Sequence, residues 1–453
     1  MRRHSIIARL GPTDTSQIRV QERGSEVTEL RFIDSDGRLG FGLGQMIDQL
    51  GDLSIRPTNT ALDLGLLAAT VTAADTRISR ASESQDSWTR EIDLYVPVVN
   101  LELWENESTL IIRMLNFLTG DRWRIFFRAR HRDYQQIIKP ETEQGRPTFD
   151  SLCLFSGGLD SFVGAIDLLA DGANPLFVSH YWDTSTSSQK ICAERLGSVY
   201  GDLATRHVRA RVGFPDSLIQ GSEPEKTTRG RSFLFFALAA LAASGLDRDM
   251  TVYVPENGLI VLNVPLDPLR IGAWSTRTTH PFYIARWADL SRHLGIAISW
   301  QNPYRFRTKG EMLSECANKA FLRSHLETTV SCSSITKARW KGLAPQHCGH
   351  CVPCLIRRSA IKHAFGNDPT PYTLVNLSAQ TLNAKRSEGE NVRSFQLMAR
   401  RLAQRPELAQ ILIRKPGPLS DYSDQEIADY AAVFARGIAE VEAVLSGVAV
   451  RPL

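Results

Sequence analysis

Cysteine is scarce, charge is nearly balanced and long apolar runs are missing from this sequence of 453 residues. Seven cysteines in a chain of this length do not make a disulfide scaffold; four of them cluster, which fits metal ligands in a reducing cytoplasm. Basic side chains number 53 against 49 acidic ones, a net charge of +4. So small an excess argues neither for nor against nucleic acid as a partner. The longest apolar stretch, Phe233 to Leu246, is short for a bilayer span and reads as a buried helix, so no membrane association is expected. Met1-Arg2-Arg3-His4 is basic, but no uninterrupted apolar core follows it, so no secretion signal is expected. Repeats and low-complexity tracts are also missing. What is left is an ordinary soluble composition, 43% hydrophobic and 23% charged, long enough for two or three domains.

The pattern along the chain changes twice. Residues 1–148 carry a helix over Thr60–Ala74, a strand over Glu91–Val98, a helix over Ser108–Leu118 stopped by Gly120, and a strand over Trp123–Arg128. This part is expected to be an α+β accessory domain. Glycines 37, 40, 42 and 44 lack a clear strand and helix around them and read as a turn. The polar stretch Lys139–Pro147 reads as a linker. Strands and helices then alternate: strand candidates over Leu176–Tyr181, His207–Val212 and Thr251–Pro255, and helices over Ser187–Tyr200 and Ser232–Ala243. Such alternation predicts an α/β domain with a parallel sheet over 149–370, ligands gathering at the carboxyl ends of its strands. A helical extension over 371–453 is expected to hold a helix opened by the capping box Ser423-Asp424-Gln425-Glu426.

Two motifs carry chemistry. Ser156-Gly157-Gly158-Leu159-Asp160-Ser161 lies between an apolar strand, Leu152–Phe155, and an apolar-periodic helix. A glycine-rich turn there lets backbone N–H groups and a helix N-terminus converge on phosphate. The Gly-Lys-Ser/Thr ending of a Walker A loop is missing. A turn that merely needs its glycines is the competing reading; the complete motif in this context favours nucleotide binding. The second motif is Cys348-Gly349-His350-Cys351-Val352-Pro353-Cys354 with Cys332 upstream. Four thiolates at Cys332, Cys348, Cys351 and Cys354 suit a tetrahedral zinc with no open position, hence a structural ion. A redox dithiol or unpaired buried cysteines are the alternatives. Cys153, Cys192 and Cys316 have no partner at useful spacing and read as packing residues.

The six-residue loop resembles the SGGxDS pyrophosphate loop of the PP-loop ATP pyrophosphatases, whose fold is adenine nucleotide alpha hydrolase-like. With Cys348 to Arg357 it resembles QueC, the cyano-deazaguanine synthase family of queuosine biosynthesis, over roughly residues 150 to 365. That resemblance implies an AMP-forming C–N ligase using ATP, Mg2+ and Zn2+: a deazaguanine carboxylate is adenylated, pyrophosphate leaves, and an amine takes the acyl group. It also implies that Ser156, Gly157, Gly158, Leu159 and Ser161 cradle the phosphates, with Asp160 near magnesium. Arg231, in Gly230-Arg231-Ser232, helps hold the phosphates or simply caps a helix. Glu256 reads the guanine-like edge or acts as a base, and Asn257 lies beside it; an αL-prone Asn-Gly turn is the plain alternative. His180 and Asp183 follow the second strand and are candidates for contact with the nucleotide's ribose or base; surface loop residues are the plain alternative.

Two departures point elsewhere within the group. Ser275-Thr276-Arg277-Thr278-Thr279-His280-Pro281 stands where QueC has its SGYPDCR-like segment, and the flanking regions are extra. Both features, with Trp88-Thr89-Arg90-Glu91, resemble the QatC-type, QueC-like components of Qat anti-phage systems. Arg277 and His280 are then candidates for handling the carboxylate or the amine, and protein partners from the same defence operon are expected. Housekeeping deazaguanine synthesis, a PP-loop tRNA-modifying enzyme and a nucleotide-binding scaffold are the other readings.

Overall fold

The computed structural model describes residues 2–35, 37–84, 86–138, 148–181, 185–225, 227–246, 248–267, 277–333 and 335–452. The expected linker over 139–147, Asp183, and Ser275 and Thr276 lie outside the described residues.

The N-terminal region runs β1 (Arg3–Arg9), β2 (Glu26–Arg31), α1 (Leu43–Asp52), α2 (Asn59–Arg77), α3 (Arg80–Glu83), β3 (Glu91–Val98), α4 (Leu101–Thr119) and β4 (Arg122–Ala129). Its four strands pair in the order β2-β1-β3-β4, and every pair is parallel. The mixed helix and strand content is as expected, but the α+β label fails on pairing: helices intervene between β2, β3 and β4, and such crossovers return the chain in the same direction. The glycine turn at 37–44 does have a strand before it and a helix after it, β2 and α1.

The central region contains β5 (Ser151–Leu154), α5 (Leu159–Ala170), β6 (Pro175–His180), α6 (Ser185–Tyr200), β7 (His207–Ala210), α7 (Arg231–Ser244) and β8 (Met250–Tyr253). It continues through α8 (Gly258–Leu262), α9 (Pro281–His293), β9 (Ile298–Gln301), α10 (Lys309–Ser314), α11 (Lys319–Ser324) and α12 (Val352–Phe365). The five strands form a parallel sheet in the order β7-β6-β5-β8-β9. Both faces of β5 are covered, so it reads as an unbroken apolar run. Leu152 and Leu154 face the core shared with α7, while Cys153 and Phe155 pack on the α5 and α12 side.

The C-terminal region holds β10 (Leu382–Asn383), α13 (Ser387–Gln404), α14 (Leu408–Leu412), α15 (Asp424–Leu445) and β11 (Val450–Arg451). Ser423 and Glu426 form the expected capping box at α15. No helix among the described residues is long and apolar enough to cross a membrane, and the Phe233–Leu246 run supplies most of the buried helix α7.

The two sheets share one apolar core. Helix α2 is apolar on all sides and buried around its circumference, because it lies between the N-terminal sheet and α7. At the end of α2 the contact turns ionic. Arg90 is fully buried and donates to Asp75 Oδ1 at 2.8 Å, Asp121 Oδ2 at 2.7 Å and the Ile78 carbonyl at 2.7 Å. Arg80 shares Asp121 at 2.7 Å. Asp75 in turn accepts the Gly230 N–H at 2.7 Å, and Gly230 is the N-cap of α7. The Trp88–Glu91 segment is thus part of a buried network that fixes where α7 begins. Removing the Arg90 guanidinium strands two carboxylates in the core, which costs about 3–5 kcal/mol. Arg90→Met is expected to lose that much in urea denaturation; a loss under about 1 kcal/mol would show that Arg80 alone satisfies both carboxylates.

Candidate nucleotide-binding site and cysteine cluster

The loop leaves the central strand at the point where the sheet order reverses. From β5 the chain builds outward through β6 and β7, then crosses back to β8 and β9, opening a crevice at the carboxyl ends of β5 and β8. Gly157 adopts φ +75°, and a Cβ there would lie 2.8 Å from Gln189 N and Ser188 Oγ, so only glycine fits this bend. Gly158 is the N-cap of α5. Gly158 N–H donates to Ser156 Oγ at 3.3 Å. Ser156 Oγ and Ser161 Oγ lie 3.2 Å apart, and Ser161 Oγ donates to the Gly158 carbonyl at 3.0 Å. The six residues of the motif form one turn between β5 and α5.

Asp160, in the first turn of α5, is buried and has three polar neighbours. Lys309 Nζ is 3.0 Å from Oδ1, and Asn257 Nδ2 donates to Oδ2 at 2.8 Å. Glu256 supplies a third hydrogen bond. Burial pushes the Asp160 carboxyl up, but the Lys309 charge and these bonds outweigh it and hold it below the usual carboxylate range. Glu256 moves the opposite way: burial and the adjacent Asp160 charge raise it well above the usual range. The two neighbouring carboxyls are thus pushed in opposite directions, Asp160 down and Glu256 up. Asn257 is no left-handed turn residue: at φ −69° and ψ 150° it caps α8, accepting from Ile260 N–H.

Lys309 went unread in the sequence, although Thr308-Lys309-Gly310-Glu311 is a second legible capping box. A lysine buried in the first turn of a helix opposes the helix dipole and needs a carboxylate. Asp160 is that carboxylate.

On the β6 side, His180 is buried, and burial with the nearby Arg231 charge lowers it to about 3. It is a neutral imidazole, with Nε2 3.5 Å from the Val212 carbonyl. Arg231 opens α7 and reaches the His180 carbonyl at 3.5 Å. Gln189 Nε2 also donates to that carbonyl, at 3.1 Å. Beyond β7 lies a cavity of about 550 Å3 lined by Arg77, Arg211 and Phe214, with Phe41, Gly42 and Gln45 from the N-terminal region.

Arg277 and His280 sit elsewhere. Arg277 donates to the Phe117 carbonyl at 2.7 Å and lies over its ring. His280 is buried, caps α9 by accepting from Phe282 N–H at 3.2 Å, and packs on Phe117. Burial and Arg277 lower it to about 3. These contacts fasten α9 to α4.

The cysteine cluster abuts the loop. The Sγ atoms of Cys332, Cys348, Cys351 and Cys354 all lie within 4.8 Å of one another. Cys332–Cys351 and Cys348–Cys354 are 3.9 and 3.8 Å apart. Tetrahedral Zn–S bonds of about 2.3 Å require sulfurs about 3.8 Å apart, so the four thiols fit zinc. Cys351 and Cys354 sit at the N-terminus of α12, which favours thiolates. Cys348 N–H and Cys351 N–H point at Cys332 Sγ and Cys348 Sγ, at 3.4 and 3.3 Å. His350 is half-buried and outside the sulfur group. Cys153, Cys192 and Cys316 are buried packing residues. The residues just before Cys332 touch the loop: Val330 N–H donates to the Gly157 carbonyl at 3.0 Å, and Leu159 N–H reaches Ser331 Oγ at 3.4 Å.

Over 240 residues, 49% of this chain and 93% of the relative, the chain is 26% identical to the 7-cyano-7-deazaguanine synthases of Brucella ovis, Brucella suis and Brucella melitensis. That similarity supports a QueC-like relationship for about half of the chain. No family model matches the sequence. No solved structure matches it.

Metal binding and folding are one equilibrium at such a cluster. Cys351→Ser is expected to lower zinc content and melting temperature together, and a chelator should lower the melting temperature of the unaltered protein. A Cys351→Ser protein that melts like the parent without metal would rule out a structural ion.

Proposed function

We propose that the chain is an AMP-forming ligase that activates a deazaguanine carboxylate with ATP and passes it to an amine. The observation that carries this reading is the buried Asp160–Lys309 pair at the N-terminus of α5, inside a glycine turn shaped for phosphate. A carboxylate oxygen attacks the α-phosphorus of ATP, and the bond from that phosphorus to the bridging oxygen of the β-phosphate breaks. Pyrophosphate leaves with the bonding pair. The amine then attacks the acyl carbon, the carbon–oxygen bond to AMP breaks, and the amine loses a proton.

The loop amides, Ser156 and Ser161 hold the departing pyrophosphate, and Lys309 and Arg231 balance its charge. Asp160 fixes Lys309 in place. Glu256, its carboxyl raised above the usual range beside Asp160, lies next to where the acid would approach. Magnesium accompanying the nucleotide would find an oxygen ligand in Asp160 and would neutralise phosphate charge. Zinc in the cysteine cluster would hold the Val330–Ser331 segment against the loop and take no part in the chemistry.

For the acceptor, the QatC-type resemblance favours an amine on a protein partner from the same defence operon, in the cytoplasm. The N-terminal and C-terminal regions beyond the roughly half-chain similarity are the surplus such a role would use.

Purified zinc-loaded protein with ATP, magnesium and carboxy-deazaguanine should release AMP and pyrophosphate. Asp160→Asn and Lys309→Met should each cut AMP release at least about 100-fold, the scale of losing one preorganised electrostatic group. Release of ADP and phosphate, or Asp160→Asn as active as the parent, would defeat the proposal.

A further inference from the structure

The cysteine cluster closes an excursion of the chain on itself. Cys332 and Cys348 bring its two ends together, with all four sulfurs within 4.8 Å of one another. We propose that the turn displayed by this excursion, Ile335–Lys341, is a docking surface for single-stranded nucleic acid. A base stacks on Trp340, and Lys337, Arg339 and Lys341 pair with phosphates. The adenylation reading above is not needed for this role.

Between Glu327 and Asp368 the sequence contains no acidic side chain. Lys337, Arg339 and Lys341 fall in that stretch, are exposed, and have no ion-pair partner among the described residues. The near-neutral charge of the whole chain thus hides a local cationic segment. Cations this close repel one another, and a polyanion relieves that repulsion while releasing its own counterions.

The turn is a 3-10 helix, so side chains three apart lie one above the other. Ala338 is buried and seats the turn on the protein. Lys337 and Trp340 share another edge, about 6 Å apart along the axis. Trp340 is 79% exposed, more than any other large apolar side chain among the described residues, whereas Trp104, Trp123, Trp287 and Trp300 are buried. Arg339 lies over the indole, 5.2 Å from the ring centroid, which steadies it and adds a cation to the platform.

This combination selects the partner. Acidic side chains would pair with the cations but leave the indole face uncovered, and a duplex keeps its base faces inside its own stack. A single strand offers a phosphate and an open base face at every nucleotide. The platform is also firmly rooted. Ser331 N–H donates to His347 Nε2 at 3.1 Å, and Thr373 N–H donates to the His347 carbonyl at 2.8 Å. Ser331 Oγ meets the Leu159 N–H at 3.4 Å, so the root of the platform is the phosphate loop itself.

Fluorescence anisotropy of the zinc-loaded, full-length protein is the test, with labelled oligouridine and, separately, oligothymidine of about 12 nucleotides, within the usual site size for such platforms. The protein should bind one strand or both, with log affinity falling linearly in log salt. Trp340→Ala should weaken binding about tenfold, the scale of one lost base–aromatic stack, and leave the salt slope unchanged. Trp340→Phe should recover most of that loss. Lys337→Gln combined with Lys341→Gln should flatten the slope by about 0.7 for each phosphate contact removed. Every altered side chain is exposed, so each variant should keep the parent melting temperature. Binding to neither strand would overturn the proposal, as would unchanged affinity in both Trp340→Ala and the double variant. Equal competition by polyglutamate would overturn it in favour of an acidic protein partner, and equally tight binding of a duplex would overturn the stacking on Trp340.

Discussion

The buried pair between Lys309 and Asp160 is the constraint around which the rest of the crevice is arranged. An ammonium group 6% exposed cannot stay charged without a carboxylate close by, and a carboxylate in the first turn of α5 cannot stay ionised without a cation. Each makes the other possible. Their distance, 3.0 Å, then fixes α5 against α10 and places the loop amides between them. Satisfying Asp160 a second time through Asn257 brings in α8, and burial with the negative charge beside it raises the Glu256 carboxyl. The ion pair thus bears on two carboxyls, holding Asp160 below the usual range while Glu256 is raised above it.

Such a pair needs support from outside the sheet, because helices as short as α8 and α10 do not hold themselves. Helix α15 supplies it. Glu440, 9% exposed at its side chain, bonds Thr308 Oγ1 and faces Gly310 N–H at 3.3 Å, one residue on either side of Lys309. A Cβ on Gly310 would come within 2.5 Å of that carboxylate. At the other end of the crevice, α15 approaches α8 so closely that a Cβ on Gly258 would meet Val433 at 2.8 Å. A helix with no chemical signature of its own therefore sets the two residues that grip Asp160. The N-terminal region acts likewise from the far side, where Asp75 holds the Gly230 N–H just before Arg231. The cysteine cluster is the third brace, through Val330 and Ser331.

This division explains what the sequence could announce. The loop, the four cysteines and the capping box of α15 are local patterns whose chemistry is set by residues a few positions apart, and each appears in the structure as read. Central elements were legible for the same reason: β5 and α7 are apolar runs of the right length. Lys309 was not, because its meaning depends on a carboxylate 149 positions away in the chain, and a lysine after a capping threonine looks like any solvated first-turn residue. Arg277 and His280 were singled out as possible reactants for their chemical type. Their neighbours are Phe117 and the N-terminus of α9, which only tertiary packing reveals. The parallel pairing of the N-terminal sheet was missed because β1 and β2 alternate weakly and their register is set by long-range contacts.

The position of the loop in the sheet order gives the two cavities different surroundings. With β5 at the switch point, everything after β6 and β7 lies on one side of the phosphate turn and everything after β8 and β9 on the other. On the first side are neutral His180, Arg231 and a cavity edged by arginines and by residues of the N-terminal region. On the second are Glu256, Asn302 and aromatic walls completed by the C-terminal region. Arginine side chains thus edge the cavity beyond β7, and aromatic rings the cavity beyond β9, with the loop between the two strand pairs.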